Sequence, residues 1–577
     1  MLMQLILRHS KPYSLWIFAV LILQLATTIA TLYLPSLNAK IIDEGVFYGD
    51  VDYIWRTGGI MLVVAFVQVI TAVAAVYFGA KTAMAIGRDI RRSVFQSVTS
   101  FSAQDVNKFG AATLITRGTN DVQQVQMLVL LALNFMVAAP IMCVGGVIMA
   151  LREDPGLSWL VWVSVPVLLI VVGVLVFFLM PLFRQMQTRI DGINGVLREQ
   201  ISGLRVVRAF VREDHEAERF EDANAKLTRV GVQVGNLFVL MFPVIAMILH
   251  IATAAVLWFG GHRVDAGQVE IGALTAFLQY LLQILMAVMM GTFMAMMIPR
   301  AMVCAERITE VLDTESSMKD NVDTAGAAPV DGTVEFTNVT FGYEGAEEPI
   351  LNNVSFTARP GQTTAIVGST GAGKTTLLNL IPRLYDVTGG DITIGGVSVS
   401  NLSREQLSRS VASVPQRPYL FSGTISSNIR FGAQDASDED VWEALRIAQA
   451  EDFVRDRDQQ LESRVSQGGT NVSGGQRQRL CIARAIAAQP EIYLFDDSFS
   501  ALDVVTDARL RAALVEPTKD ATVIIVAQRI STITHADQIL VLENGAVVDR
   551  GTHQELLESS QTYQEIVMSQ LAAQEAS

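Results

Sequence analysis

Apolar positions are spread unevenly along this chain, and the unevenness divides it in two. Six long apolar runs stand out in the first three hundred residues, at about Leu15–Leu34, Ile60–Phe78, Met127–Leu151, Leu157–Leu182, Leu237–Gly260 and Ile271–Ile298. Each is close to or above the roughly 20 residues that a helix needs to cross a bilayer. After them the pattern shortens. Val334–Phe341 alternates as a strand, and compact apolar strands are expected at Ala365–Val367, Ile492–Asp496 and Val523–Val526, with helical runs between them. A charged helical stretch from about Arg300, then the small residues Thr324–Pro329, read as the connection. The expected architecture is a six-helix membrane domain over 1–315, a linker over 316–332 and a soluble α/β domain over 333–577.

Loop charges orient the spans. Segments 81–125 and 184–232 hold six and nine Lys/Arg, whereas the three short loops facing the other way (35–59, 152–156 and 261–270) hold four between them. That asymmetry places both termini and the two basic segments in the cytoplasm. The basic segments are too long for turns, and their helical period predicts helices that continue below the membrane. Reversals are expected near Ser102–Phe109 and Arg212–Phe220, where a cytoplasmic motor can dock. The first run is too long for a signal peptide and lacks a small-residue cleavage pattern.

Inside the spans, Pro140, Pro166, Pro181 and Pro243 are expected to kink or loosen helices. Asn134, His250, Gln279 and Gln283 are expected to face the bundle interior, because polar groups facing lipid are costly. His250 reads as a hydrogen-bonded interior histidine rather than a proton relay. The last span carries Met286, Met289, Met290, Met294, Met296 and Met297, whose flexible thioethers suit either helix packing or a cavity wall that accepts varied shapes.

Composition sharpens the division. Charged residues make up 17% of the chain, against roughly 25% in soluble proteins, and mean hydropathy is +0.37. Up to Arg300, 22 basic residues face 19 acidic ones, a net of +3, so the remainder carries −17 of the total −14. An acidic soluble body argues against nucleic acid as a partner. Cys143, Cys304 and Cys481 lie far apart with no metal spacing and read as buried free thiols, which a reducing cytosol suits.

The chemistry concentrates in the soluble half. Gly368-Ser369-Thr370-Gly371-Ala372-Gly373-Lys374-Thr375, followed by Thr376, lies between the strand Ala365–Val367 and a helical run from Leu377. It fits the phosphate-binding P-loop at every fixed position. Glycines let backbone N–H groups turn around a β-phosphate, Lys374 reaches the β/γ oxygens, and the Thr375 hydroxyl can ligate Mg²⁺. Tyr343, 25 residues before Gly368, can stack on an adenine ring. Gln416, just past a strand-like run, suits a sensor of Mg²⁺ and γ-phosphate. Ser473-Gly474-Gly475-Gln476 opens a helix and makes a second anion site, which one chain cannot easily fold onto its own P-loop. The economical arrangement has it cap nucleotide on another subunit. Asp496, at the carboxyl end of a buried parallel strand, is placed to hold Mg²⁺ through water. Asp497 follows, then Ser500-Ala501-Leu502-Asp503, and a later strand ends at Gln528.

In this order, Tyr343, the Gly368–Thr375 loop, Gln416, Ser473–Gln476, Asp496, Ser500–Asp503 and Gln528 resemble the motifs of ATP-binding cassette proteins. With six spans ahead of them, nearly all 577 residues resemble a type IV half-transporter of the exporter fold. The resemblance implies a polytopic α-helical membrane domain followed by an α/β P-loop ATPase domain of the ABC type, with ATP and Mg²⁺ as cofactors. It also implies head-to-tail pairing of two cassettes, with ATP held between the P-loop of one and the signature of the other. Ser500 and Asp503 fall in the D-loop.

Two positions depart from the family pattern. Asp497 stands where a glutamate usually polarises the attacking water, and Gln528 where a histidine usually contacts the γ-phosphate. Aspartate is shorter by about 1.5 Å, and a misplacement of about 1 Å can cost on the order of a hundredfold in rate. Glutamine can donate a hydrogen bond but carries no imidazolium charge. The expectation is a subunit of a heterodimeric exporter for lipophilic or amphipathic compounds, multidrug or lipid, in the bacterial inner membrane. Its own site would hold ATP and turn it over slowly, and its signature would complete the competent site of a partner bearing the glutamate and histidine. Alternatives sharing the fold are an importer and an ATP-gated channel or regulatory subunit. A soluble cassette ATPase acting on DNA or ribosomes does not fit six spans and an acidic cassette.

Overall fold

The computed structural model describes residues 1–295, 297–318, 329–343 and 345–575. The chain forms two compact units, one of Met1–Thr99 with Ala111–Thr314 and one of Ser100–Gly110 with Glu315–Ser577. The second unit therefore includes a short segment that lies, in sequence, between the second and third apolar runs.

Among the described residues, six helical stretches are long and apolar enough to cross a membrane: Leu2–Val46, Val51–Ser100, Ala111–Glu153, Trp159–Ser202, Glu213–Asp265 and Ile271–Gly291. Most run well past their apolar cores, because a helix satisfies its backbone internally and can leave the apolar phase without breaking. The fourth and fifth pack along each other, as do the third and sixth. Leu168, Val172, Ala252, Val256, Phe277 and Ile284 form part of their common core, where the buried Tyr280 hydroxyl donates to the Leu32 carbonyl at 2.8 Å.

Several sequence expectations change here. The second reversal falls at Gly203–Arg212, ahead of Arg212–Phe220. The long helix ends at Gly203, a short helix Leu204–Ala209 follows, and Val211 turns the chain at φ 50°. Glu213, Asp214 and Glu216 then crowd the first turn of the next helix, where the helix dipole favours acids. The helices continue through Pro166, Pro181 and Pro243. Ahead of Pro140 the turn widens to a π-helix over Ala132–Met136, next to the carbonyl that proline leaves without its donor. Asn134 is buried and donates to the Leu130 carbonyl at 2.8 Å, and Gln283 is half-buried. His250 and Gln279, by contrast, lie on exposed faces of this single chain. Cys304 and Cys481 are buried free thiols, whereas Cys143 is half-buried. Burial and the nearby Asp121 carboxylate push the Cys304 thiol up to about 11, so it stays protonated.

The second unit is built on strands β1 (Val334–Phe341), β2 (Leu351–Ala358), β3 (Thr363–Gly368), β4 (Gly389–Ile394), β5 (Val397–Ser398), β6 (Val411–Val414), β7 (Gly423–Thr424), β8 (Arg464–Val465), β9 (Ile492–Asp496), β10 (Thr522–Val526), β11 (Gln538–Glu543) and β12 (Ala546–Gly551). A six-stranded sheet has the order β12-β11-β3-β10-β9-β6, and a four-stranded antiparallel sheet the order β2-β1-β4-β5. In the larger sheet β11, β3, β10, β9 and β6 are parallel, and β12 closes the edge antiparallel. β9 and β10 are buried at every position, as their unbroken apolar runs require of central parallel strands. The register pairs Val526 with both Ile366 and Asp496. The carboxyl ends of β3, β9 and β10 therefore share one edge of the sheet, where ligand sites of parallel sheets form.

Within this unit Ser102 caps the short helix Ala103–Phe109. Asp105 completes the capping box and also accepts the Ser317 backbone N–H at 3.0 Å, so its carboxylate joins two segments far apart in sequence. Gly110 at φ 76° ends the helix.

Candidate functional site

The loop after β3 turns through Gly371 at φ 88° and Gly373 at φ 95°, a region that only glycine enters freely. A Cβ on Gly373 would stand 2.8 Å from the Leu351 side chain, and one on Gly368 2.1 Å from the Leu542 carbonyl. The helix Lys374–Leu380 begins at once, so its free N–H groups converge on the loop. Lys374 Nζ donates to the carbonyls of Gly368 (2.8 Å) and Ser369 (2.7 Å). Burial lowers the Lys374 ammonium, and the Asp496 and Asp497 carboxylates counter it.

Thr375 Oγ1 donates to Asp496 Oδ1 at 3.1 Å. Burial raises the Asp496 carboxyl above the usual carboxylate range and Asp497 adds to it, against the Thr375 hydrogen bond and the Lys374 charge. A divalent cation would relieve that crowding. The hydroxyl and carboxylate oxygens at this edge are hard donors suited to Mg²⁺, which binds through one or two protein oxygens plus water and phosphate. Asp497 is 9% exposed and sits in the left-handed region at φ 46°, with its N–H on the Val526 carbonyl at 2.9 Å. Its Oδ2 accepts from the Gln416 side-chain amide at 3.4 Å.

These residues share one cavity of about 820 Å³, lined by Gly368–Gly371, Gly373–Thr376, Gln416, Asp496, Asp497 and Gln528. Ala372 is buried beneath the loop. Tyr343 stands beside it, its hydroxyl 3.2 Å from Thr376 Oγ1 and its ring edge-on to Tyr385 at 5.4 Å. Ser473, Gly474, Gly475 and Gln476 lie apart from the cavity. Ser473 caps the helix Gly474–Ala487, accepting the Gln476 N–H at 3.2 Å, while Gln476 Oε1 accepts the Ser473 N–H. Ser473 and Gly474 are exposed, and nothing crowds the Gly474 Cβ position, so this helix start is open on its outer side. Ser500 Oγ donates to the Asp497 carbonyl at 2.9 Å, and Asp503 caps the helix Val504–Leu514.

Two features escape the sequence. Tyr385, the ring against Tyr343, follows a short helix with no motif around it. The helix Gln561–Glu575 supplies Glu565, Ile566, Ser569 and Gln570 to the cavity wall. Nothing in its sequence marks it for that place.

The first unit holds a cavity of about 430 Å³ walled almost wholly by apolar atoms, among them Met142, Met241, Phe242, Met286, Met289 and Met290. Met294 is buried, Met297 precedes the helix Ile298–Asp313, and Met296 lies outside the described residues, as does most of Thr324–Pro329.

Residues 17–288 match the ABC transporter transmembrane region family, and residues 351–500 the ABC transporter family. An uncharacterized ABC transporter ATP-binding protein of Mycobacterium tuberculosis is 49% identical over 577 residues, covering 99% of this chain and 98% of that protein. An uncharacterized ABC transporter ATP-binding protein of Bacillus subtilis is 36% identical over 568 residues, covering 98% of each. The structure of a bacterial Atm1-family ABC exporter with ATP bound superposes with a TM-score of 0.81 at 24% identity, covering 96% of this chain and 99% of that one, which establishes the fold.

Proposed function

This chain belongs to the ABC transporters as a multi-pass half-transporter, with a transmembrane region and an ABC ATPase domain on one polypeptide, and on that premise we propose that it is the hydrolysis-impaired subunit of a heterodimeric exporter. The observation that carries this reading is the short carboxylate at Asp497, buried at the sheet edge beside Asp496 and engaged by Gln416. With Gln528 in the switch position, the site keeps its phosphate cradle but lacks the longer acid and the imidazole.

In this reading 1–315 is the transmembrane domain, 316–332 the linker and 333–577 the nucleotide-binding domain. Both termini are cytoplasmic and the chain lies in the inner membrane. The P-loop amides and Lys374 bind and orient the β- and γ-phosphates, and Tyr343 stacks on the adenine. Thr375, Asp496 and Gln416 would hold Mg²⁺, which when bound neutralises charge on the phosphate oxygens. The open helix start at Ser473–Gln476 caps nucleotide on a partner subunit that carries the glutamate and histidine. Binding closes the two cassettes, the basic cytoplasmic loops carry that closure to the spans, and hydrolysis on the partner side resets the cycle. Nucleotide drives the change because it favours the closed state over the open one.

Two further observations support pairing and substrate class. His250 and Gln279 lie on exposed faces of a single chain; a second subunit or a watered cavity would spare them contact with lipid. The methionine-rich cavity offers almost no polar partner and favours lipophilic or amphipathic cargo. The test is an ATPase assay of the purified full-length chain, alone and co-purified with a partner half-transporter. Slow turnover alone and fast turnover with the partner are expected. Fast turnover by the chain alone, or turnover that survives loss of the partner's glutamate, refutes the asymmetric reading.

A further inference from the structure

Gln570 brackets the backbone that begins at Gln528. Its Nε2 donates to the Gln528 carbonyl at 2.5 Å, and its Oε1 accepts the Ile530 N–H at 2.9 Å. One carboxamide thus holds both ends of a short stretch just past β10. The sheet does not hold it: the Ala527 N–H still reaches the Ile366 carbonyl at 3.3 Å, but Gln528 and Arg529 are exposed beyond it. Other bonds tie the surroundings, with Arg511 donating to the Ser531 carbonyl at 2.9 Å and Arg529 to the Ser500 carbonyl at 3.5 Å.

The helix carrying Gln570 is firmly seated. Tyr563 is fully buried, with its hydroxyl 2.7 Å from His553 Nδ1, and Ile566 and Val567 pack on the larger core. Thr562 Oγ1 donates to Glu543 Oε2 at 3.2 Å at the end of β11. The clamp therefore has a rigid base in the same cavity wall that faces the P-loop.

We propose that Gln570 is a positioning residue: the C-terminal helix sets the height of Gln528 over the P-loop and so lets the site tell ATP from ADP. This rests on the nucleotide reading above. The P-loop amides and Lys374 contact phosphates that both nucleotides carry. Gln528, entering the cavity from the adjacent strand end, serves the γ-phosphate that only ATP has. Loosening its backbone costs affinity for ATP and leaves ADP untouched, whereas general damage to the domain weakens both.

The experiment titrates the full-length chain in detergent with MANT-ATP and MANT-ADP in the presence of Mg²⁺, comparing wild type with Gln570→Ala and Gln570→Glu. Gln570→Ala is expected to weaken MANT-ATP about five- to tenfold, the scale of one or two lost hydrogen bonds, and to leave MANT-ADP within about twofold. The ionised Gln570→Glu cannot donate to the Gln528 carbonyl. It is expected to show the same loss near neutral pH, and its deficit relative to wild type at the same pH is expected to shrink as pH falls toward carboxyl protonation. Amide hydrogen exchange adds a readout that needs no ligand, since the Ile530 amide should exchange faster in Gln570→Ala. Equal weakening of both nucleotides, no change in either, or unchanged Ile530 exchange overturns the clamp while leaving the nucleotide site standing. Failure of the wild-type chain to bind MANT-ATP sinks the nucleotide reading and the clamp with it.

Discussion

Gln416 donates its side-chain amide to Asp497 Oδ2 at 3.4 Å, so the glutamine after β6 and the acid after β9 meet over the P-loop edge. The backbone of Asp497 is tied on both sides of its side chain. Its N–H is on the Val526 carbonyl, its carbonyl accepts the Ser500 hydroxyl, and its φ of 46° holds the turn in place. In the proposed reading, the short acid on this backbone falls short of a water beside a bound γ-phosphate.

If the proposed reading holds, lengthening that acid should restore the reach. Asp497→Glu combined with Gln528→His is expected to raise single-turnover hydrolysis at this chain's own site by about ten- to a hundredfold, the cost attached to an ångström-scale misplacement of a reacting group. Rapid-quench measurement of phosphate release in the assembled transporter reads the change. An unaltered rate removes the argument from side-chain length.

The phosphate cradle makes a separate demand. Lys374→Ala removes a charged donor, worth about 1.5–3 kcal/mol, and should weaken MgATP binding by at least about tenfold. Gly373→Ala should weaken it as well, because φ 95° disfavours any side chain and the new methyl meets Leu351 at 2.8 Å. Titration with a fluorescent nucleotide checks both. Wild-type affinity in Lys374→Ala would remove this loop from the site.

The Asp105 junction predicts a dependence on pH. Burial alone would raise the Asp105 carboxyl, but the amides and hydroxyls of Ser102 and Ser317 outweigh it and hold the group below the usual carboxylate range. A depressed folded value contributes stability that is complete above the unfolded value of about 3.9 and is lost as pH falls through the folded value. Asp105→Ala, which removes a helix cap and a bond to Ser317, should cost about 1–3 kcal/mol at neutral pH. The difference in thermal unfolding between the two proteins should shrink as pH falls below the unfolded value of about 3.9 and through the folded value. A difference that persists undiminished in acid contradicts the role given to the carboxylate.

Much of the fold was legible because its signals are local. A run of about twenty apolar residues is an element by itself, and strand, glycine loop, lysine and helix appear consecutively at Thr363–Leu380. The junctions were less legible. Gly203, not the charged run after Arg212, ends the long fourth helix, since both an acidic helix start and a break fit that stretch of sequence. His250 and Gln279 show the same limit: polarity within a span predicts avoidance of lipid, but not which neighbour provides the shelter.

The sequence by itself determined the division into apolar spans and α/β domain and the P-loop, because periodicity, composition and spacing are properties of neighbouring residues; Asp497 and Gln528 stand out only against the motifs of the family that the chain resembles. The tertiary structure decided what parallel strand register brings to one edge: Thr375 onto Asp496, Gln416 onto Asp497, and Gln570 onto the backbone of Gln528. Those pairs are separated by tens of residues or more, and only the packing of the sheet and its covering helices sets such distances.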